Sequence, residues 1–247
     1  MSNYTLIFAS GVGSRMRSTI GPKQFMKIGD KEILAYTLEI FANHKEIDGI
    51  YVVVREGKED FTQSIIDKFS IGKVKKVVTG DESSAHGSII NGLAAMKDDG
   101  IEDSDVVLVH DGVRPILDVI TISKCISSTK EFGNAITCMP AQETVAYKGE
   151  DDTIKAVTKR EEMIILQAPQ AFRFKDAHNI NERAKKDGIV GKVVDQAELN
   201  RRYGTKLHII EGLKGNVKIT VPLDFMYFEY LVHSGKHATI IKGENPW

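Results

Sequence analysis

Long apolar runs are absent from this chain of 247 residues, and so is an excess of charge of either sign. No apolar stretch reaches the roughly 20 residues that span a bilayer. The short apolar run near Met1 also lacks the charged segment that opens a secretory signal. With 33 basic and 34 acidic residues, the formal net charge is -1, which argues against nucleic acid as the main ligand. We therefore expect a cytoplasmic protein with no membrane and no nucleic-acid partner.

Cysteine is scarce as well, with Cys125 and Cys138 as the two examples. Their spacing does not match a metal-ligand pattern, and their surroundings predict a helix and a strand. They are interpreted as structural thiols of a reducing compartment. The chain shows no internal repeat, low-complexity stretch or convincing linker. Its length suits one domain with a substantial core, so we predict a single domain over residues 1–247.

The first half of the chain alternates short apolar runs with segments of helical periodicity. Apolar strands separated by helices indicate a parallel sheet covered on both faces. Right-handed crossovers then give an α/β fold: a Rossmann-like, doubly wound, mostly parallel sheet. Ligands of such sheets bind at the carboxyl ends of the strands. The predicted strands are 4–8, 50–54, 74–79 and 106–109, and the predicted helices are 33–43, 61–69 and 88–96.

Residues 135–158 break this alternation. Segments 135–139 and 144–147 are strand-like, residues 149–152 form a turn, and 153–157 alternate again. This pattern predicts a β-hairpin arm, about residues 139–160, that projects from the sheet. An isolated two-stranded hairpin is marginally stable in water, so the arm needs a surface to pack on. That surface is either a second subunit or the chain's own domain.

The loop after the first predicted strand combines small residues with positive charge. Gly11 and Gly13 leave the strand, and Arg15 and Lys23 follow within a few residues. Backbone N–H groups of such a loop approach an anion closely, and two cations can neutralise it. The loop is neither a dinucleotide fingerprint, since Met16 replaces the third glycine, nor a Walker loop. It predicts a polyphosphate site, with an ordinary strand-to-helix turn as the alternative.

A second charged segment, residues 110–115, follows the predicted strand 106–109. An aspartate at the carboxyl end of such a strand commonly holds Mg²⁺ bound to nucleotide phosphates, which makes Asp111 a metal candidate. Arg114 would pair with a phosphate or with Asp111 itself. A helix-capping aspartate with a surface salt bridge is the alternative. His110 carries less weight, because a buried, hydrogen-bonded histidine would look the same in the sequence.

Two further segments belong to the same edge of the predicted sheet. Residues 80–88 offer hydroxyl and backbone amide groups to a base or ribose, but N-capping by Ser84 or Ser88 is the favoured explanation when this segment is considered by itself. Lys218 lies in an alternating, strand-like run, where a lysine is usually an edge-strand charge. It becomes a candidate because a phosphate site needs cations from several directions.

Together these motifs resemble the cytidylyltransferases that make CDP-activated polyols. That family includes the 2-C-methyl-D-erythritol 4-phosphate cytidylyltransferases of isoprenoid synthesis and the ribitol 5-phosphate cytidylyltransferases of teichoic acid and capsule synthesis. The resemblance covers nearly the whole chain and implies that residues 1–247 form a single nucleotidyltransferase domain. It is carried, in chain order, by residues 11–16, 22–24, 80–81, 88, 110–115, 168–172 and 216–220.

The resemblance implies in-line attack of a substrate phosphate on the α-phosphorus of CTP, with release of pyrophosphate and dependence on Mg²⁺ or another divalent cation. Catalysis would rest on positioning and charge neutralisation. The implied catalytic residues are Arg15, Lys23 and Lys218. The implied nucleotide-binding residues are Ala9, Ser10, Gly11, Gly13, Gly80, Asp81, Ser88 and Asp111, of which Asp111 also faces the metal. The implied polyol-phosphate residues are Arg114, Thr144 and Arg160. In the family, the arm reaches across a homodimer.

The chain also departs from the family pattern. Ser10 stands where the family usually has alanine or glycine, and the loop from Asp81 to Ser88 is longer and lacks its usual arginine. Ala168 replaces a threonine near the polyol phosphate, and residues 194–197 are altered. The half that activates CTP is thus kept, while the acceptor half is changed.

Three functions remain open at the level of sequence. We favour CMP transfer to ribitol 5-phosphate or a similar pentitol phosphate for a surface polymer, with 2-C-methyl-D-erythritol 4-phosphate as the alternative acceptor. A non-catalytic nucleotide-binding homologue is the second reading. A nucleotidyltransferase for another base or a sugar 1-phosphate is the third.

Overall fold

The computed structural model describes residues 1–11 and 21–245. Gly13 and Arg15, two of the expected site residues, lie outside the described residues. The strands are β1 (Asn3–Ala9), β2 (Lys27–Ile28), β3 (Lys31–Glu32), β4 (Gly49–Val54), β5 (Val74–Thr79), β6 (Val106–Asp111), β7 (Asn134–Pro140), β8 (Ala146–Lys148), β9 (Ile154–Val157), β10 (Ile164–Arg173) and β11 (Ile209–Glu211). The helices are α1 (Ile33–Ala42), α2 (Glu59–Lys68), α3 (Ala85–Asp98), α4 (Val119–Phe132), α5 (Phe174–Lys186), α6 (Gln196–Arg202), α7 (Pro222–His233) and α8 (Lys236–Ile241).

Seven of these strands form one twisted sheet in the order β11-β7-β10-β6-β1-β4-β5. Neighbouring strands run parallel except at β10, which is antiparallel to both β6 and β7. The exception has a topological cause, since β10 is the strand by which the chain returns to the sheet from the arm. The predicted α/β class and mostly parallel sheet are confirmed.

Helices cover both faces of this sheet, as a doubly wound fold requires. Strands β4 and β6 are buried along their whole length. One core packs side chains of α1, α2 and α4 against one face, and a second packs side chains of α3 and α5 against the other. The predicted strand 106–109 extends to Asp111, still buried, so this carboxylate lies at the end of a rigid central strand.

A third, smaller core lies beneath the segments that follow β6 and β11. Helices α7 and α8 contribute Phe228, Leu231 and Ile240, which pack with Val113 and Ile219. The backbone N–H of Ile219 donates to the carbonyl of Val113 at 2.9 Å. This core therefore ties together the two segments that carry Arg114 and Lys218.

The predicted hairpin is present as β8 and β9, which pair with each other and with no strand of the central sheet. Every residue of both strands is exposed. The strand-like run 135–139 belongs instead to the central sheet as β7, where burial between β10 and β11 stabilises it. Within the described ranges, no helix is both long and apolar enough to cross a membrane.

Helix α3 begins earlier than the predicted residue 88. Its N-cap is Ser84, whose hydroxyl accepts a hydrogen bond from the N–H of Gly87. The interpretation of Ser84 as a capping residue is confirmed, and Ser88 lies one turn inside the helix. The earlier start brings the first turn of α3 to the carboxyl edge of the sheet.

Close packing of α3 on the sheet depends on Gly92. A Cβ atom there would lie 2.3 Å from Cδ1 of Leu6 and 2.8 Å from Cγ2 of Val53, both in the buried core. We expect Gly92→Ala to lower the free energy of unfolding by about 1–2 kcal/mol, because overpacking outweighs the better helix propensity of alanine. Urea denaturation measures this. Gly72→Ala is the matched control, since its Cβ would meet no atom within 4 Å; equal stability of the two variants would contradict the packing argument.

Candidate active site

A buried carboxylate held between two cations forms the centre of the site. Asp111 ends β6 and is 5% exposed. Nζ of Lys218 lies 2.5 Å from its Oδ1, and Nε of Arg114 lies 2.8 Å from its Oδ2. Arg114 also donates from Nη1 to the carbonyl of Asn216 at 2.9 Å. The structure thus brings together three of the predicted site residues.

The electrostatics of this cluster favour an anionic ligand. Burial by itself would raise the pKa of Asp111, but Lys218 and Arg114 outweigh it and hold that pKa well below its usual range. The carboxylate is therefore ionised throughout the physiological pH range. Two cations and one anion leave an excess of one positive charge at the carboxyl edge of the sheet, where phosphate groups bind in folds of this type.

The segment that carries Lys218 is irregular rather than a strand, which corrects the sequence interpretation. Its alternation arises because Val217 and Ile219 pack into the third core beneath it. Asn216 is 1% exposed and donates from Nδ2 to the carbonyl of Ala168 at 2.6 Å. Nζ of Lys218 lies 5.9 Å from the centre of the Phe8 ring. These contacts fix the lysine without a sheet ladder.

A second group of predicted residues meets where β1 and β5 end. The hydroxyl of Ser88 lies 2.6 Å from the hydroxyl of Ser10 and accepts from the N–H of Asp81 at 2.9 Å. A Cβ atom at Gly80 would lie 2.9 Å from Cβ of Ser10, so this turn requires a glycine for close approach. Ser10 therefore joins the end of β1 to the first turn of α3.

Lys23 and Gln24 lie in a short 3₁₀ helix, Lys23–Phe25, beside the end of β1. Gln24 is 2% exposed, and its Nε2 donates to the carbonyls of Ala9 and Gly11 at 2.6 and 3.1 Å. Lys23 is 9% exposed. The hydrogen bonds of Gln24 thus connect the end of β1 to the 3₁₀ helix that carries Lys23, the expected catalytic lysine. The sequence motif contained Gln24, but these hydrogen bonds were not predicted.

A cavity of about 320 Å³ opens beside the Asp111 cluster. Asp111, Arg114, Lys218 and Thr220 line one part of it, and His86, Gln170 and Gln196 line another. His86, which sequence analysis did not single out, is 5% exposed and lies 2.9 Å from Oδ1 of Asn181. Burial lowers the pKa of His86, so its imidazole is neutral at physiological pH and lines the cavity without adding charge. No spacing pattern in the sequence indicates this contact, because Asn181 is 95 residues away.

The arm residues stay apart from this cluster within one chain. Thr144 and Arg160 are exposed, and neither lines the cavity beside Asp111. Arg160 approaches Glu161 at 3.9 Å, in a pair exposed to solvent. Their expected roles stay predictions.

The donor set at Asp111 fits a divalent metal that arrives with a nucleotide. Among the described residues, no group of three or more histidine, cysteine, aspartate or glutamate side chains could hold a metal ion by itself. Mg²⁺ is commonly held by one or two carboxylates together with substrate phosphates. A single buried carboxylate at a phosphate-binding edge fits that arrangement.

His110 is a buried histidine with a structural hydrogen bond, as its alternative interpretation predicted. It is 0% exposed, its Nε2 donates to the carbonyl of Arg114 at 3.1 Å, and Phe41 lies edge-on at 5.0 Å. Burial lowers its pKa to about 4. The neutral ring fixes the turn that presents Asp111 and Arg114.

The mostly parallel sheet and the cationic cluster at its carboxyl edge, together with the glycine-rich sequence after β1, are those of a nucleotidyltransferase. Residues 4–234 match the model of the IspD family, 2-C-methyl-D-erythritol 4-phosphate cytidylyltransferase. The chain belongs to this family and is a CTP-dependent cytidylyltransferase.

Relatives with two different acceptors in their names are similar over nearly the full length. A ribitol-5-phosphate cytidylyltransferase of Vibrio parahaemolyticus is 36% identical over 96% of this chain and 99% of its own. One of Streptococcus agalactiae serotype V is 37% identical over 97% and 99%. A 2-C-methyl-D-erythritol 4-phosphate cytidylyltransferase of Clostridium botulinum is 35% identical over 93% and 97%. Among solved structures, 4-diphosphocytidyl-2C-methyl-D-erythritol synthase of Anaerococcus prevotii superposes with a TM-score of 0.78 at 26% identity, over 94% of this chain and 96% of that one.

The depressed pKa of His110 predicts a pH-dependent stability. An unfolded histidine binds its proton near pH 6.5, whereas folded His110 does so near pH 4. Its contribution is therefore complete above about pH 6.5 and is lost as the pH falls towards 4. Between pH 7.5 and pH 5, the wild type should lose about 2 kcal/mol more unfolding free energy than His110→Gln.

Denaturant titrations at the two pH values measure this difference. His233→Gln, at the exposed end of α7, serves as control and should keep the wild-type slope. Parallel pH profiles of the wild type and His110→Gln would contradict the assignment of a neutral, buried ring.

Proposed function

We propose that the chain transfers CMP from CTP to ribitol 5-phosphate or a similar pentitol phosphate, which serves a surface polymer, and releases pyrophosphate. The observation that carries the proposal is the cluster of Arg114, Asp111 and Lys218, with its excess positive charge beside a cavity of about 320 Å³. Membership of the family supplies the cytidylyl transfer. Relatives named ribitol-5-phosphate cytidylyltransferase are 36–37% identical over 96–97% of this chain, and relatives named 2-C-methyl-D-erythritol 4-phosphate cytidylyltransferase are 35–36% identical over 93% of it. The slightly greater identity and coverage of the first group support a pentitol acceptor.

In this reaction, a phosphate oxygen of the acceptor attacks the α-phosphorus of CTP, and the bond to the β-phosphoryl oxygen breaks. No covalent enzyme intermediate is needed, so the protein contributes positioning and charge neutralisation. Lys218 would neutralise the attacking phosphate and the α-phosphate. Arg15 and Lys23, which follow β1 in the sequence, would bind the triphosphate and neutralise its charge.

The nucleotide half of the site is assigned to the carboxyl ends of β1 and β5. Gly80, Asp81 and Ser88 would contact the base and ribose, next to the loop of Ala9, Ser10, Gly11 and Gly13. The hydrogen bonds that join Ser10, Ser88 and Asp81 support this assignment, because they hold the turn in one geometry.

Asp111 would hold Mg²⁺ jointly with oxygens of the triphosphate. When bound, the metal would supply neutralisation of charge on the phosphates and the leaving pyrophosphate. Asp111 also orients Lys218 and Arg114, since each of its oxygens faces one of these cations.

The proposed assembly is a homodimer of single-domain chains, each with an arm of about residues 139–160. Thr144 and Arg160 are exposed in the chain by itself and lie away from the cavity beside Asp111. In a dimer, the arm of one copy would bring them to the acceptor phosphate of the other, where Arg114 also contributes.

The acceptor is tested by pyrophosphate release from CTP with purified protein. We expect kcat/KM with ribitol 5-phosphate to exceed that with 2-C-methyl-D-erythritol 4-phosphate by at least about tenfold, a difference of roughly 1.4 kcal/mol in transition-state binding. The reverse order would assign the alternative acceptor. No turnover with either acceptor would favour the non-catalytic homologue, and UTP or GTP in place of CTP tests the base.

The two lysines are tested by removal of their charge. Lys218→Ala and Lys23→Ala should each lower kcat by about 10²–10³-fold, the usual loss for one group that stabilises transition-state charge. Lys130→Ala, an exposed lysine at the end of α4, should keep the wild-type rate. Thermal unfolding of each variant separates catalysis from folding, and a near-normal rate in a folded Lys218→Ala protein would overturn its role.

A further inference from the structure

Part of the wall of the cavity beside Asp111 is an irregular segment, residues 187–195, which connects α5 to α6. We call it the wall segment. Its last three residues, Val193, Val194 and Asp195, line the same cavity as the cations of the site. An irregular segment lacks the regular backbone hydrogen bonds of a helix or strand, so its position depends on contacts with neighbouring elements.

The two ends of the wall segment are held by packing and by capping. Ile189 is 9% exposed and packs with Leu199 in a small apolar cluster. At the other end, Asp195 caps α6, because its Oδ1 accepts a hydrogen bond from the N–H of Glu198 at 2.8 Å. Oδ2 of the same residue accepts from Nε2 of Gln170 at 2.9 Å. The middle of the segment is held by a different contact.

His86, in the first turn of α3, holds the middle of the wall segment. Its Nδ1 accepts a hydrogen bond from the N–H of Gly191 at 3.3 Å. Gly191 has a φ of 77°, a left-handed conformation that favours glycine. A Cβ atom there would lie 3.3 Å from Cβ of Ser84, the N-cap of α3. The wall segment therefore lies close against the start of α3.

The ring of His86 is fixed from its other side as well. Because a backbone N–H only donates, Nδ1 carries no proton, and Nε2 donates to Oδ1 of Asn181 at 2.9 Å. Nδ2 of Asn181 donates to Oε1 of Gln196 at 2.8 Å, and Nε2 of Gln196 donates back to Oδ1 at 3.3 Å. The three side chains are 5%, 1% and 2% exposed. They join α3, α5 and α6 in one buried network.

Each polar side-chain atom of this network has a partner within the protein. A buried polar group is costly when it is unpaired, so a fully paired network strongly favours one arrangement of its members. The network thus transmits the position of three helices to the wall segment through the single hydrogen bond between His86 and Gly191.

We propose that His86 is a positioning residue for the acceptor: through Gly191 it holds the wall segment in place and thereby sets the affinity of the cavity for the polyol part of the acceptor. The inference rests on the proposed function, which supplies the acceptor. Arg114 and Lys218 would attract the phosphate of the acceptor, and the polyol would extend along the remainder of the cavity, which the wall segment helps to line.

Steady-state kinetics of pyrophosphate release, with the acceptor that the wild type uses, tests this role. His86→Leu removes both hydrogen bonds of the ring. We expect KM for the acceptor to rise about tenfold or more, while kcat and KM for CTP change less than about threefold. Asn91→Leu, the same kind of change at an exposed position of α3, is the matched control and should keep the wild-type constants. An unchanged KM for the acceptor, or equal rises in both KM values, would overturn the proposal.

Two conservative variants separate the two hydrogen bonds of the ring. The side-chain oxygen of His86→Asn can take the place of Nδ1 and accept from Gly191, whereas the amide of His86→Gln can take the place of Nε2 and donate to Asn181. We expect His86→Asn to bring KM for the acceptor to within about threefold of the wild type, and His86→Gln to resemble His86→Leu. Any other order would overturn the proposal. This pair gives the same comparison if His86→Leu does not fold.

Hydrogen–deuterium exchange measured by mass spectrometry tests the contact without the reaction. In His86→Leu, peptides from the wall segment should exchange faster than in the wild type, and peptides from α1 should exchange at the wild-type rate. Unchanged exchange in the wall segment, or faster exchange in α1 as well, would overturn the proposal. A wild type that turns over no acceptor would refute the proposed function alone, because the exchange rates do not depend on catalysis.

Discussion

The contact on which the site depends is the buried carboxylate of Asp111 between Lys218 and Arg114. Each cation reaches it from a different segment, one just after β6 and the other far along the chain, and Asp111 faces both at once. A buried charge of this kind is stable only while its partners stay in place. The packing of the third core beneath Val113 and Ile219 is therefore part of the chemistry, because it keeps the two segments at hydrogen-bond distance.

The same contact explains why the site can hold a phosphate. The negative charge of Asp111 balances one of the two positive charges of Lys218 and Arg114. The excess positive charge lies beside the cavity that these residues line. An incoming phosphate meets donors that are already oriented, so little reorganisation is needed at the moment of reaction. His110 serves this arrangement through its bond to the carbonyl of Arg114, which shapes the turn and adds no further charge to it.

Sequence predicted the parts of the fold that follow from local pattern. Apolar runs and turn residues predict the parallel strands, the doubly wound class and the hairpin. The apolar strand before Asp111 predicts that this carboxylate lies at the carboxyl edge of the sheet. The strand assigned around Lys218 was wrong, because Val217 and Ile219 alternate for a core formed by the distant α7. The hydrogen bonds of His86 and Gln24 were missed, since each joins parts of the chain that only the tertiary structure brings together.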